Sequence, residues 1–313
     1  MTVTVLGTSA AVPAHGRALS ATLVEAAGVH VLLDCGDGTA GRLLAADVSM
    51  LRLDAVCVTH LHGDHVYGLP ALLTSLSMLG RTAPLVLAGP DGLAAWLAAT
   101  PGAAPAHLRF PLALRVWPTG DPSAPDVWPV WQTDGLTVTA VPLDHGIPTR
   151  GYRVETPPVP GTLDVDAAAA LGLTDWHDYR ALKAGEAVAA PDGRRVEPRE
   201  VVGPETPGVA LAYVLDTQPC AGARVLARGA DLVVHDATFA TAATERARQT
   251  RHSTAAEAAA TARDAGARRL LLTHISARYP DAHPLVAEAR AVFAASDVAV
   301  QGARVEVGEI VRV

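Results

Sequence analysis

The sequence predicts a layered α/β protein, and two observations lead to this class. Short apolar, β-branched runs alternate with helix-like stretches along most of the chain, a pattern typical of strands and helices packed in layers. The sequence also has no internal repeat, heptad pattern or low-complexity tract. The predicted strands are Thr2–Leu6, Leu23–Leu33, Ala55–Thr59, Leu85–Ala88, Leu136–Leu143, Gly151–Glu155, Val209–Leu215, Leu232–Val234, Leu270–Thr273 and Arg304–Val311.

The helical stretches carry recognisable start and stop signals. Thr254 and Glu257 have the spacing of a capping box, and Gly266 is a typical residue to end the helix that follows. The predicted helices are Leu69–Leu79, Gly92–Ala99, Thr254–Ala265 and Pro284–Ala295.

One segment, from Thr156 to Pro207, breaks the alternation. It contains several prolines, scattered charges and no strong periodicity. A run of this length without secondary structure is uncommon inside a compact domain and is usually functional. We therefore expect a single domain over residues 1–313, with an insertion at 156–207 that protrudes from the core and carries a small helix at Asp164–Leu171.

Composition limits the classes of function. No apolar run approaches the roughly 20 residues of a membrane span, and the N-terminal stretch lacks the pattern of a secretory signal. Cys35, Cys57 and Cys220 are too few and too scattered for a disulfide framework, so we expect a cytoplasmic protein with no membrane association. The net charge of −7 argues weakly against a nucleic-acid partner. Acidic metal ligands contribute to that charge, and bound cations would offset it locally.

A dense group of metal-binding side chains follows the predicted strand at 55–59. His60, His62, Asp64 and His65 fall within six residues, and Gly63 relieves the crowding of the backbone. Imidazole and carboxylate groups suit zinc or manganese. Four ligands from one loop do not fit comfortably around one tetrahedral ion, so the pattern predicts two adjacent ions. Unrelated surface histidines are the alternative interpretation.

Three later strands end in residues of the same kind. His145 ends LTVTAVPLDH, Asp216 ends VALAYVLD and His274 ends RRLLLTH. The carboxyl edge of the strands is where α/β folds tend to assemble their sites. Each residue alone also fits a capped or partly buried polar group, but the repetition favours a shared site in which the Asp216 carboxylate bridges both ions.

Two further residues look catalytic rather than ligating. His252 precedes a predicted helix, where it would hold a proton for a leaving group, although the helix dipole would tend to lower its pKa. Asp236 would orient the imidazole of His252, whereas His235 is better explained as a structural hydrogen-bonding residue. A solvated loop histidine is the alternative for His252.

The predicted chemistry is hydrolysis assisted by two metal ions. Ions about 3.5–4 Å apart would lower the pKa of a shared water and stabilise the leaving oxygen. Asp64, a ligand of one ion, would also accept a proton from the nucleophile. The residue types alone leave phosphodiesters, lactones, β-lactams, thioesters and sulfate esters open as substrates.

These motifs and their order resemble the ribonuclease Z family of the metallo-β-lactamase superfamily, endonucleases that mature tRNA 3′ ends. The most specific stretch is THLHGDHVYGLPALLTSLSMLGR at residues 59–81. The resemblance spans nearly the whole chain, because it continues through LGTSAAVP, LLDCGDGT, PLVLAGPDGL, DHGIPTRGYRV, AYVLDTQP, HDATF, HSTAAEAA and LLLTHISARY.

The resemblance implies an αββα metallo-β-lactamase sandwich, usually a homodimer, with two zinc or manganese ions at the edges of the sheets. The implied catalytic residues are Asp64, His252, which gives a proton to the departing ribose 3′-oxygen, and Asp236. The implied ligands are His60, His62 and His145 for one ion, Asp64, His65 and His274 for the other, and Asp216 for both.

On the substrate side, the resemblance identifies residues 156–207 as an arm that grips the body of precursor tRNA. The implied substrate contacts are Arg278, Ser276, Thr39 and Lys183. The tip of the arm departs from the family pattern, because it reads TDWHDYRALKAG, with Arg180 and Lys183 its only cations, where a basic Gly-Pro-rich sequence is usual. Asp236 also departs, since it stands where the family has the longer glutamate.

The leading hypothesis is therefore a metal-dependent endoribonuclease that removes 3′ trailers from precursor tRNA by attack of a metal-bridging hydroxide. The alternative is a hydrolase of the same fold that acts on a small phosphodiester or another ester without processing tRNA. A non-catalytic RNA-binding relative is a third interpretation, which the complete ligand set disfavours.

Overall fold

Two mixed β-sheets form the centre of the protein, which we describe from a computed structural model over residues 1–100 and 104–308. The strands are β1 Thr2–Gly7, β2 Ala21–Ala26, β3 Val29–Leu33, β4 Ala55–Cys57, β5 Leu85–Pro90, β6 Leu112–Trp117, β7 Trp128–Gln132, β8 Thr137–Leu143, β9 Thr149–Glu155, β10 Val188–Ala189, β11 Arg195–Val196, β12 Ala210–Val214, β13 Leu232–Asp236, β14 Leu270–Thr273, β15 Ser296–Val298 and β16 Arg304–Glu306. The helices are α1 Thr39–Ala45, α2 Gly63–Val66, α3 Leu69–Met78, α4 Leu93–Ala98, α5 Val165–Ala170, α6 Trp176–Lys183, α7 Ala221–Ala227, α8 Thr244–Thr250, α9 Ala255–Asp264 and α10 His283–Val292.

The chain divides into two compact units. The main unit comprises residues 1–156 and the chain from residue 210 onward, and the inserted unit is Pro157–Val209. The main unit contains both seven-stranded sheets, ordered β16-β1-β2-β3-β4-β5-β6 and β15-β14-β13-β12-β9-β8-β7.

Alternation of side chains along the strands creates the layers of the main unit. In β3, Val31 and Leu33 pack with Tyr152 and Tyr213 of the second sheet, whereas Leu32 packs with α1, α3 and α4 on the outer face. The outer face of the second sheet packs in the same way against α7, α9 and α10. Because each strand residue points to the side opposite its neighbour, one apolar strand can serve both layers. The predicted αββα sandwich is confirmed.

Several predicted elements differ from the observed ones. The strand predicted at Leu23–Leu33 is wrong, because Ala27 and Gly28 have φ of 50° and 78° and form a two-residue turn between β2 and β3. The edge strand β7 was not predicted, since Pro129 interrupts its pattern at a shift in register. The last predicted strand is observed at Arg304–Glu306, and its end from residue 309 lies outside the described residues.

The four predicted helices are confirmed within two or three residues at each end. The capping box is also present, because Thr254 Oγ1 accepts from the Glu257 amide at 3.2 Å and Glu257 Oε2 accepts from the Thr254 amide at 2.9 Å. Gly266 adopts φ 68° just past the end of α9, as a helix stop requires.

Strand direction brings the predicted site residues to one edge of each sheet. In the second sheet β9 is antiparallel to both β8 and β12, while β12, β13 and β14 are mutually parallel. The strands β8, β12, β13 and β14 therefore end at the same edge. The parallel strands β3 and β4 do so in the first sheet.

The inserted unit has a small core of its own, made by Ala168, Leu173, Leu182, Ala190, Val196 and Val201. The predicted small helix is confirmed as α5, where Asp164 Oδ1 accepts from the Ala167 amide at 2.9 Å. Sequence analysis missed α6 and the β10–β11 hairpin. The single-domain boundaries and the role of the insertion as an arm stay predictions.

Among the described residues, no helix combines the length and the apolar character needed to cross a bilayer.

Candidate metal centre

Two groups of metal-binding side chains that share Asp216 meet at the strand edges, and a third group, Asp236, His252 and His274, overlaps the second at His274. The first contains His60, His62, His145 and Asp216, and the second contains Asp64, His65, Asp216 and His274. In each group one candidate ligand atom per residue lies within 4.8 Å of all the others. The structure therefore brings together all seven predicted ligands, and only Asp216 belongs to both groups.

The spacing of the ligand atoms fits metal ions. His62 Nδ1 lies 3.1 Å from His60 Nε2 and 3.2 Å from His145 Nε2. His274 Nε2 lies 3.2 Å from Asp64 Oδ2 and 3.3 Å from Asp216 Oδ1. Ligands about 2.0–2.1 Å from a tetrahedral zinc ion lie roughly 3.3 Å from one another. The buried Asp216 Oδ1 has no hydrogen-bond partner among the described residues, as expected of an atom directed at a cation.

Hydrogen bonds fix the orientation of four of the five imidazoles. Each of these rings engages Nδ1 on the side away from the ligand group, which leaves Nε2 for a metal. The Nδ1 contacts are His60 to Thr59 Oγ1 at 2.9 Å, His65 to Asp34 Oδ2 at 2.8 Å, His145 to the Arg251 carbonyl at 3.1 Å and His274 to Thr238 Oγ1 at 3.0 Å. His62 differs, since its Nδ1 faces the group.

Asp34 is a functional residue that sequence reasoning did not assign. It is fully buried at the end of β3, and its carboxylate accepts from the Thr59 amide at 2.8 Å as well as from His65. The Thr59 hydroxyl also donates to Asp34 at 2.9 Å, so His60 must donate its Nδ1 proton to that hydroxyl. Asp34 thus orients rings of both groups. Asp34 could have been found as a candidate from the sequence, because in LLDCGDGT it directly follows the apolar strand β3.

Three residues of the centre have strained backbones. Asp34, Asp216 and His274 have φ of 58°, 56° and 55°. Non-glycine residues seldom adopt this left-handed region, and such strain persists where the surrounding structure imposes it, often at functional sites. Each of these residues ends a strand and turns its side chain into the centre.

The electrostatics of the centre favour bound cations. Burial, followed by the effect of His65, holds the pKa of His60 well below that of a free imidazole, so its ring is neutral. For Asp216, burial raises the pKa, but the imidazoles of His274, His65 and His252 outweigh it and hold the pKa well below its usual range. Burial lowers the pKa of His65, but the carboxylates of Asp216 and Asp34 outweigh it and hold the pKa well above its ordinary value. A metal ligand must be deprotonated, so binding of an ion would release a proton from this ring.

His252 and Asp236 form a pair beside the second group. His252 Nδ1 lies 3.2 Å from Asp236 Oδ2, so the shorter carboxylate still reaches the ring, and Nε2 has no hydrogen-bond partner among the described residues. Burial lowers the pKa of His252, but the carboxylates of Asp216 and Asp236 outweigh it and raise the pKa above its ordinary value. The lowering expected from the helix dipole is therefore overridden. His235 is buried and its Nδ1 donates to the Asp236 carbonyl at 2.9 Å.

The predicted substrate contacts occupy different surroundings. Arg278 and Ser276 line a cavity of about 850 Å³ that also exposes His62, Asp64 and His252. Thr39 does not line this cavity. It is 2% exposed and its hydroxyl donates to the Gly36 carbonyl at 2.6 Å, and its role as a substrate contact stays a prediction. Lys183 is an exposed residue of the inserted unit.

The fold and the centre define the class of protein, a metal-dependent hydrolase of the metallo-β-lactamase fold. Residues 175–275 match the family model described as a beta-lactamase superfamily domain, and residues 1–93 match the model described as anti-Pycsar protein Apyc1. The structure is similar to that of the short form of human tRNase Z, with a TM-score of 0.71 and 24% identity over 99% of this chain and 100% of that chain.

Sequence relatives define the family more closely. The chain is 48% identical to ribonuclease Z of Salinibacter ruber, over 96% of this chain and 92% of the relative. It is 41% identical to ribonuclease Z of a Synechococcus species, over 94% of both chains. The chain therefore belongs to the ribonuclease Z family, and it is a hydrolase that cuts phosphodiester bonds within RNA.

Proposed function

We propose that the substrate is precursor tRNA and that the enzyme removes its 3′ trailer, with two zinc ions as cofactors and manganese able to replace them. The observation that carries this proposal is the His252–Asp236 pair beside two groups of candidate ligands that share Asp216. The alternative, a small-diester hydrolase, is less well supported, because the relatives that match nearly the whole chain are ribonucleases Z.

Bound ions would activate a water for attack and neutralise charge on the phosphate. His60, His62 and His145 would hold one ion, Asp64, His65 and His274 the other, and Asp216 both. Asp34 and Thr59 fix the rings of His65 and His60, so these ligands would need little reorganisation during the reaction.

The protein's own groups manage the protons. Asp236 accepts from His252 Nδ1, so the second proton of the imidazolium is on Nε2. We assign this proton to the departing ribose 3′-oxygen, which leaves a 3′-hydroxyl on the tRNA and a 5′-phosphate on the trailer. Asp64 is proposed to accept the proton of the nucleophile.

The remaining proposals concern binding and assembly. Arg278 and Ser276 would contact the phosphate chain from the cavity wall, and the inserted unit, including Lys183, would grip the body of the tRNA. A homodimer and a cytoplasmic location follow from the family resemblance.

The test is cleavage of an end-labelled precursor tRNA with a 3′ trailer, in zinc and in manganese, beside bis(p-nitrophenyl) phosphate. We expect a single cut after the discriminator base, with an Asp216→Ala preparation as the control for contaminating nuclease. Hydrolysis of the small diester with the tRNA left intact would reject the substrate assignment and support the alternative. Sedimentation velocity on the same preparation tests the dimer.

A further inference from the structure

The wall of the cavity beside His252 is built by α8. Arg246 and Thr250 both line the cavity. They are four residues apart, and residues with this spacing lie on the same face of a helix. Arg248, between them, is exposed but does not line the cavity. The helix therefore presents one arginine to the cavity and another away from it.

The guanidinium of Arg246 is available for a ligand. Arg251, at the end of α8, lies 3.4 Å from Asp144 Oδ1 and donates to the His145 carbonyl at 3.0 Å. Arg246 is also exposed, yet it makes no ion pair with any residue in the described ranges. Within the described part of the chain the charge of Arg246 has no partner, so it is available to solvent or to a bound molecule.

A second arginine, Arg278, lines the same cavity. The Cζ atom of Arg278 is 5.9 Å from the centroid of the Phe239 ring, and that ring is 6.2 Å from the ring of His252. Arg246, Arg278, Phe239 and His252 all line the same cavity. Two arginines thus line the cavity onto which His252 opens.

We propose that Arg246 is a positioning residue that binds a backbone phosphate of the RNA, together with Arg278, on the 3′-oxygen side of the scissile bond. The guanidinium fork matches a phosphate bidentately. A protein of net charge −7 needs local cations for this contact, since its overall field repels RNA. The position of His252 determines the side of the scissile bond. The nucleotide whose 3′-oxygen takes the proton of His252 must lie against that ring. Because α8 ends two residues before His252, Arg246 on α8 is close to this nucleotide in the sequence of the wall. The inference depends on the proposed function.

The experiment compares Arg246→Ala, Arg246→Glu and Arg246→Lys with Arg248→Ala, a matched loss of an exposed arginine from the other face of α8. We expect Arg246→Ala to lower kcat/KM for precursor tRNA about tenfold, as for loss of one charge-assisted contact. Arg246→Glu should be lower still, and Arg246→Lys should recover part of the loss. Arg248→Ala should remain within about twofold of wild type, because exposed sites away from special contacts are tolerant.

Salt dependence separates a phosphate contact from a structural effect. The slope of log kcat/KM against log salt should become shallower by about 0.7 in Arg246→Ala, the value for one phosphate of single-stranded RNA. The rate with bis(p-nitrophenyl) phosphate, which has a single phosphate, should fall much less than the rate with tRNA.

Two results would overturn the inference while wild type still cuts tRNA at one position. One is an Arg246→Ala variant that matches Arg248→Ala in both rate and salt slope. The other is an equal loss on both substrates accompanied by loss of metal, which would show that Arg246 supports the fold. Failure of the wild-type enzyme to cut precursor tRNA would instead reject the proposed function itself.

Discussion

The metal centre and the inserted unit are built on opposite principles. In the centre, buried carboxylates and hydroxyls hold the rings, as Asp34 holds His65. The inserted unit has nine carboxylates and five cations, most of them exposed, and two of its arginines are already paired, Arg194 with Glu200 and Arg195 with Glu197. Contacts of the first kind are weakly screened by salt, whereas those of the second are strongly screened. The chemistry should therefore depend little on salt, and the grip on substrate should depend strongly on it.

Substitution of the shared ligand should have the largest effect. Asp216→Ala removes the carboxylate that belongs to both ligand groups, so we expect loss of metal and activity below detection on tRNA and on the small diester alike. Mass spectrometry of the metal content and both assays check this. Asp216→Asn is the matched control for side-chain volume. Full metal content in the alanine variant would show that the carboxylate is not a ligand.

His252→Ala should separate catalysis from metal binding. Loss of a proton donor typically costs about 10²–10⁴-fold in rate. The metal content should stay near wild type, because His252 belongs to neither of the two groups that contain Asp216. The loss should be smaller for bis(p-nitrophenyl) phosphate, whose nitrophenolate leaves without protonation. A His252→Ala enzyme that cuts tRNA at the wild-type rate would remove His252 from the mechanism.

Asp34→Asn should lower the affinity for metal, and through it the activity, by an intermediate amount. Asparagine tolerates the left-handed backbone of this position, but its amide cannot accept both from His65 and from the amide and hydroxyl of Thr59. Loss of such an outer partner typically weakens metal affinity by about 10–100-fold. Competition with a chelator measures the affinity, and excess zinc should restore activity. Asp37→Asn, an exposed change three residues away, is the control. Equal affinity in the two variants would contradict the orienting role.

Some features of the metal centre and of the inserted unit could be predicted from the sequence, and others could not. The proposed ligands were predictable because they cluster just past the ends of apolar strands, and the start of α9 because Thr254 and Glu257 cap it locally. Asp34 was not, since the same position suits a solvated turn until its burial is known. The hairpin turn at Ala27 was not predicted because alanine seldom adopts the left-handed backbone that the turn requires. The helix α6 was missed because Leu182 stabilises it by packing in a small core. The hydroxyl of Thr39 is used within the fold, and its role as a substrate contact stays a prediction.

The substitutions with the smallest predicted effect test whether the inserted unit contacts RNA. Glu186→Lys and Glu205→Lys replace exposed carboxylates of this unit that make no ion pair within the described part of the chain. If the unit grips tRNA, each should raise kcat/KM for precursor tRNA about twofold to fivefold at low salt, since an exposed charge contributes at most about 1 kcal/mol. The gain should vanish at high salt. Asp134→Lys makes the same change of charge on an exposed residue of the main unit. An equal gain from Asp134→Lys would mean that net charge alone sets the encounter with RNA, and the arm assignment would then be rejected.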